Sequence, residues 1–161
     1  MKILTMASIL LVAGVCVAED LKVVINVGDS PALEVTAPHD AKVKSSKDQT
    51  VIKTDRMKLF IWPVADAKSV DEGLPKIAKT IESEVIEFKP QTTTTLTIAG
   101  APAKHLMGRA VEADDNDPGT ADVVIFTTGK TVFAACVHGE GNDAAREREP
   151  MLAVLKSAKA P

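Results

Sequence analysis

The chain has 161 residues, 45% hydrophobic and 25% charged, with a formal net charge of −3. That size and balance fit one globular domain and exclude a wholly disordered or collagen-like chain. An acidic chain with four Phe, one Trp and no Tyr has neither the basic footprint nor the stacking rings of a nucleic-acid binder, so no nucleic-acid partner is expected.

Met1-Lys2 puts a positive charge at the N-terminus, Ile3 to Ala18 carry none, and the run ends Cys16-Val17-Ala18. This order of charged start, apolar run and small-residue cut site predicts a signal peptide over 1–18 and one domain over 19–161. The apolar run is about 16 residues, short of the roughly 20 that a spanning helix needs. No membrane span is expected once it is cleaved, and the mature protein is expected to be periplasmic or secreted. An uncleaved anchor is the alternative. Lipidation of Cys16 is disfavoured because branched Val15 precedes it. Removing 1–18 deletes Lys2 and no acid, which shifts the charge from −3 to −4. It leaves Cys136 as the single cysteine, so the mature chain can form no internal disulfide and relies on its core.

Leu21–Asn26 and Leu33–Thr36 read as strands around the turn Gly28-Asp29-Ser30-Pro31. Lys42 to Asp48 reads as a polar, solvated bend rather than a binding patch. Thr50–Thr54 and Lys58–Val64 form a strand pair, ended by Pro63. Ser69 to Phe88 is helical: Leu74, Ile77, Ala78, Ile81 and Val85 recur at offsets of three and four. Ser69 and Glu72 have capping-box spacing, but Pro75 favours a regular helix beginning near Pro75. A meander follows over Thr92–Ile98, Ala103–Ala113, Asp122–Thr128 and Thr131–His138, with Gly129-Lys130 as a tight turn. Its last two strands are apolar on both faces, as central strands covered on both sides are. A final helix spans Glu149–Lys159, with Pro150 in its first turn.

Three segments carry a family resemblance: Val35-Thr36-Ala37-Pro38, Ile98-Ala99-Gly100-Ala101-Pro102-Ala103, and Leu152-Ala153-Val154-Leu155-Lys156-Ser157. They stand where Mog1/PsbP-like proteins place a strand ending in Pro, a Gly-x-Pro-Ala turn and a Leu-rich helix ending in Ser. With the element order, the chain resembles that family over nearly all of residues 19–161. Where members have Gly-Trp after the first Pro, this chain has His39-Asp40. The resemblance implies an α+β fold, an antiparallel sheet of about six to seven strands packed with two helices. A cystatin-like or NTF2-like fold is the alternative. Members include photosystem extrinsic subunits, a nuclear-transport regulator and exported bacterial proteins, so the fold alone assigns no activity.

No nucleophile elbow, phosphate loop, dinucleotide glycine set or zinc-binding helix occurs. No catalytic residue and no cofactor are assigned. Cys136 and His138 lie two apart on one strand face, about 6.5–7 Å between Cα atoms, and read as a buried thiol beside a strand-end His. A small enzyme using Cys136 and His138 is the alternative. His105 reads as a partly exposed strand residue. The weak metal candidates are Asp114, Asp115 and Asp117 in an acidic turn that lacks EF-hand spacing, together with His39 and His138. A calcium-responsive envelope protein working through that turn is the further alternative. The reading favoured here is an exported monomer that binds an envelope protein or a small molecule without catalysis.

Overall fold

The computed structural model describes residues 19–55, 57–112, 118–140 and 144–161. The expected signal peptide and Asp114, Asp115 and Asp117 lie outside the described residues.

Two strands, β1 (Leu21–Val27) and β2 (Ser30–Ala37), pair as a separate hairpin. The main sheet holds seven strands: β3 (Lys42–Ser45), β4 (Thr50–Lys53), β5 (Met57–Pro63), β6 (Val85–Ile98), β7 (Ala101–Glu112), β8 (Pro118–Thr128) and β9 (Thr131–Glu140). Their spatial order is β3-β4-β5-β9-β8-β7-β6, and every pairing is antiparallel. The helices are α1 (Val70–Glu82), between β5 and β6, and α2 (Ala144–Lys156) after β9.

The apolar character of β8 and β9 explains the layering. Val124 and Phe126 join Phe133, Ala135 and Val137 in one core, with the β1–β2 hairpin residues Ile25, Leu33 and Val35 and the α2 residues Met151, Leu152 and Leu155. Val123 and Ile125 join Ala134 and Cys136 in a second core beneath Ile77 and Ile81 of α1. The sheet is thus sandwiched, α1 on one side and the hairpin with α2 on the other. Phe126 and Phe133 stack at 5.7 Å between centroids, fully buried.

Several boundaries differ from the sequence reading. Lys42–Ser45 is a strand, not a bend, because its backbone completes a ladder with Thr50–Lys53 even though all four residues are exposed. Helix α1 begins at Val70: the Ser69 hydroxyl accepts from the Glu72 amide at 3.3 Å, and Pro75 is tolerated on the exposed side. It ends at Glu82, not Phe88. Val85 is buried in the α1-side core as the first residue of β6. A strand residue and a helix residue can fill the same core, which is why periodicity alone ran on through it. Helix α2 starts earlier than expected, at Ala144, and Pro150 lies inside it.

The three resemblance segments have local reasons. The Ala99-Gly100 turn between β6 and β7 has positive φ at both residues (51° and 77°), the geometry of a tight hairpin turn. Ser157 accepts the Thr36 amide at 2.8 Å and donates to the Val154 carbonyl at 2.6 Å, so the end of α2 is pinned to β2. Beyond it, Lys159 and Glu34 exchange two backbone hydrogen bonds of 3.0 Å.

Candidate functional site

A groove of about 470 Å³ lies between α1 and the start of β6, on the α1 side of the sheet. Its floor is Ile81, Leu106 and Val123, and Leu74, Ala78 and Phe88 form its walls. On α1 the spacing 74, 78, 81 places three apolar side chains on one stripe. From β6, the pairing register shifts between Ile86 and Lys89, and Glu87 in that shift has φ 54°. Such a bulge re-aims side chains, and here Glu87 and Phe88 both line the groove. The strand approaches its neighbour closely there: a Cβ on Gly108 would meet the Lys89 carbonyl oxygen at 2.0 Å. Two carboxylates, Glu82 and Glu87, are the only charged groups among the described residues that line the groove. An apolar trough with an acidic rim suits an apolar body that carries a cationic end.

The opposite face holds a buried polar network that sequence reasoning missed. Asp122 on β8 is 1% exposed and His105 on β7 is 4% exposed. His105 was expected to be partly exposed; it is buried, paired with Asp122, which Arg148 of α2 covers in turn. Arg148 Nε donates to Asp122 Oδ2 and Arg148 Nη2 to Asp122 Oδ1, each at 2.6 Å. His105 Nε2 lies 2.6 Å from Asp122 Oδ1, and Thr94 Oγ1 lies 3.2 Å from His105 Nδ1. With a proton on Nε2, His105 donates to the carboxylate and accepts from the threonine hydroxyl. Arg148 also contacts the Met107 sulfur. Burial pushes the Asp122 carboxyl up, but the Arg148 and His105 hydrogen bonds outweigh it and hold it below the usual aspartate range. Both carboxylate oxygens are engaged, so the network is a latch that joins β7, β8 and α2.

The other candidates stand apart. Cys136 and His138 lie on the α1 face of β9, while His105 faces α2. His39 is exposed in the turn after β2. Cys136 is fully buried, and burial, with the Asp122 and Glu84 charges, pushes its thiol well above the ordinary value. A nucleophilic thiol needs the opposite shift. Among the described residues no cluster of three or more His, Cys, Asp or Glu side chains could hold a metal ion. No helix among them is long and apolar enough to cross a membrane.

A signal for the latch existed in the sequence: Asp122 opens the run Val123-Val124-Ile125-Phe126, and a carboxylate in so apolar a strand needs a partner. Nothing in the sequence marked Arg148, which sits between Glu147 and Glu149. The groove was half legible. The α1 stripe was read, but its other wall comes from residues assigned to that helix.

No protein-family profile and no curated protein matches the sequence. Solved structures do. A protein from Bacteroides thetaiotaomicron is similar at TM-score 0.59 and 13% identity over 90% of this chain, and this chain spans about half (49%) of that protein. Cyanobacterial PsbP from Synechocystis is similar at TM-score 0.58 and 14% identity, with 92% of this chain and 96% of that one covered. LpqN of Mycobacterium tuberculosis, described as involved in cell envelope biogenesis, has TM-score 0.54 and 12% identity over 88% and 90% of the two chains. A variant of Mog1 has TM-score 0.54 and 8% identity over 87% and 95%. With its seven-stranded antiparallel sheet, separate hairpin and two helices, the chain has the Mog1/PsbP-like fold.

Proposed function

We propose that this chain is an exported, non-catalytic binding domain whose groove between α1 and β6 holds a small amphipathic cation. The groove carries the reading: its volume lies in the range of small-molecule clefts, its surface is mostly apolar, and the charges on its rim are both negative. Export is supported by the charged start, uncharged run and small-residue ending of residues 1–18. The likeness to LpqN adds an envelope context.

The test is calorimetric titration with dodecyltrimethylammonium below its micelle concentration. Binding is expected to one site, to weaken in the double variant Glu82→Gln/Glu87→Gln, and to vanish in Ala78→Trp. Residue 78 is exposed, so the larger side chain fills the groove without entering the core. Undiminished binding by Ala78→Trp, or equal binding of dodecyl sulfate, would overturn the assignment. Export is tested separately, by comparing cell fractions for chains with and without residues 1–18.

A further inference from the structure

The pairing register sets lysines against one another. Lys42 of β3 pairs directly with Lys53 of β4, and Lys53 with Lys58 of β5. Directly paired residues share a face about 5 Å apart, and like charges placed so destabilise a sheet. Lys44, two residues along from Lys42, projects to the same side. Between residues 42 and 58 there are six basic residues and two acids, a net +4, in a chain whose formal net charge is −3. Lys42, Lys44 and Lys53 are exposed. Among the described residues these three make no ion pair, although Asp40 and Asp55 line the same small cleft as Lys42 and Lys53. Helix α1 packs on β6, β8 and β9, away from this wing of the sheet.

Folding alone gives no reason for such a row. Adjacent lysines on neighbouring strands oppose the sheet they stand on, and an external anion removes the repulsion. The patch is not purely charged, because half-buried Val51 lies directly opposite Lys44 and beside Lys53 on the same face. An apolar spot ringed by cations resembles a protein contact, with its apolar centre and polar rim, more than a track for a uniform polyanion. We propose that the β3–β4 face, centred on Lys42, Lys44, Val51 and Lys53, docks an acidic protein partner through carboxylates set against these three lysines. This surface is separate from the groove, so either assignment can fail without the other.

The probe is a synthetic ten-residue polyglutamate peptide, titrated into the isotopically labelled chain at low salt. Amide shifts are expected to concentrate on β3 and β4. Lys42→Glu/Lys53→Glu is expected to weaken binding at least tenfold, and Lys68→Glu/Lys79→Glu, charge swaps of equal size at exposed lysines elsewhere, to leave it nearly unchanged. Raising the salt to 0.5 M should abolish binding, since exposed pairs are screened. Binding that both double variants weaken equally would show a general charge effect and overturn the proposal. So would tight binding of inorganic polyphosphate without binding of polyglutamate, which would mark a phosphate-polymer surface instead. Lys53→Gln supplies a readout independent of any partner. Relieving the like-charge pair with Lys42 should raise Tm by about 1–2 °C, and a fall in Tm would remove the premise that the row is held at a cost to folding.

Discussion

Asp122 decides how α2 is held. A carboxylate at 1% exposure, followed by four apolar residues, would cost several kcal/mol if left unpaired. The bidentate Arg148 contact and the His105 hydrogen bond offset that cost. Asp122→Ala leaves the buried His105 imidazole without its acceptor and the part-exposed Arg148 without its partner, and is expected to lower stability by about 2–3 kcal/mol, the range for hydrogen bonds to charged groups. Urea unfolding checks the size. The pH dependence identifies the cause. The Asp122 pKa is lowered in the folded chain, so its stabilising effect is complete above the ordinary aspartate value of about 3.9 and is lost as pH falls through the folded value. The stability gap between the native chain and Asp122→Asn should therefore narrow as the pH falls below about 4. A gap independent of pH down to 2 would show that the carboxylate's charge does not hold the latch.

At the scale of elements, α1 shows what local pattern determines and what it leaves open. Ser69, Glu72 and the stripe through Leu74, Ile77 and Ile81 were enough to place the helix. They could not settle its start, because Pro75 argues locally for a later one. The cap prevails because the proline faces water and the Asp71 carbonyl that it leaves without a helical partner belongs to an exposed residue. An interior proline still costs about 3 kcal/mol, of which up to ~1 returns through a stiffer unfolded chain. Pro75→Ala is therefore expected to stabilise the protein by about 2 kcal/mol in urea unfolding, with the helix start unchanged. A loss of stability would mean that the ring's place on the groove rim outweighs the missing hydrogen bond. β3 was illegible for a different reason. Three of its four residues are polar and none is buried, so only the partner strand reveals it.

For the whole molecule, the alternation of apolar faces in β8 and β9 was the most informative stretch of the sequence. It required a layer on each side of the sheet, which β1–β2 with α2 and α1 supply. Strand adjacency was less accessible. β5 pairs with β9 across the whole insertion of α1 and the meander, a contact that no local signal marks. The same pairing buries Cys136, which lies opposite Phe60 of β5 and Val123 of β8. Its side chain points into the core under α1, so a reagent reaches the sulfur when the α1 layer leaves the sheet, and in a single cooperative unit that layer leaves only when both cores open together. Cys136 should therefore report global unfolding rather than local opening. Labelling with a chromogenic disulfide in increasing urea should give a free energy of exposure equal to that of global unfolding, with the same dependence on denaturant. Rapid labelling in native buffer, or exposure with a much weaker denaturant dependence, would show that one layer peels from the sheet while the other stays closed, and that the two cores are not one cooperative unit.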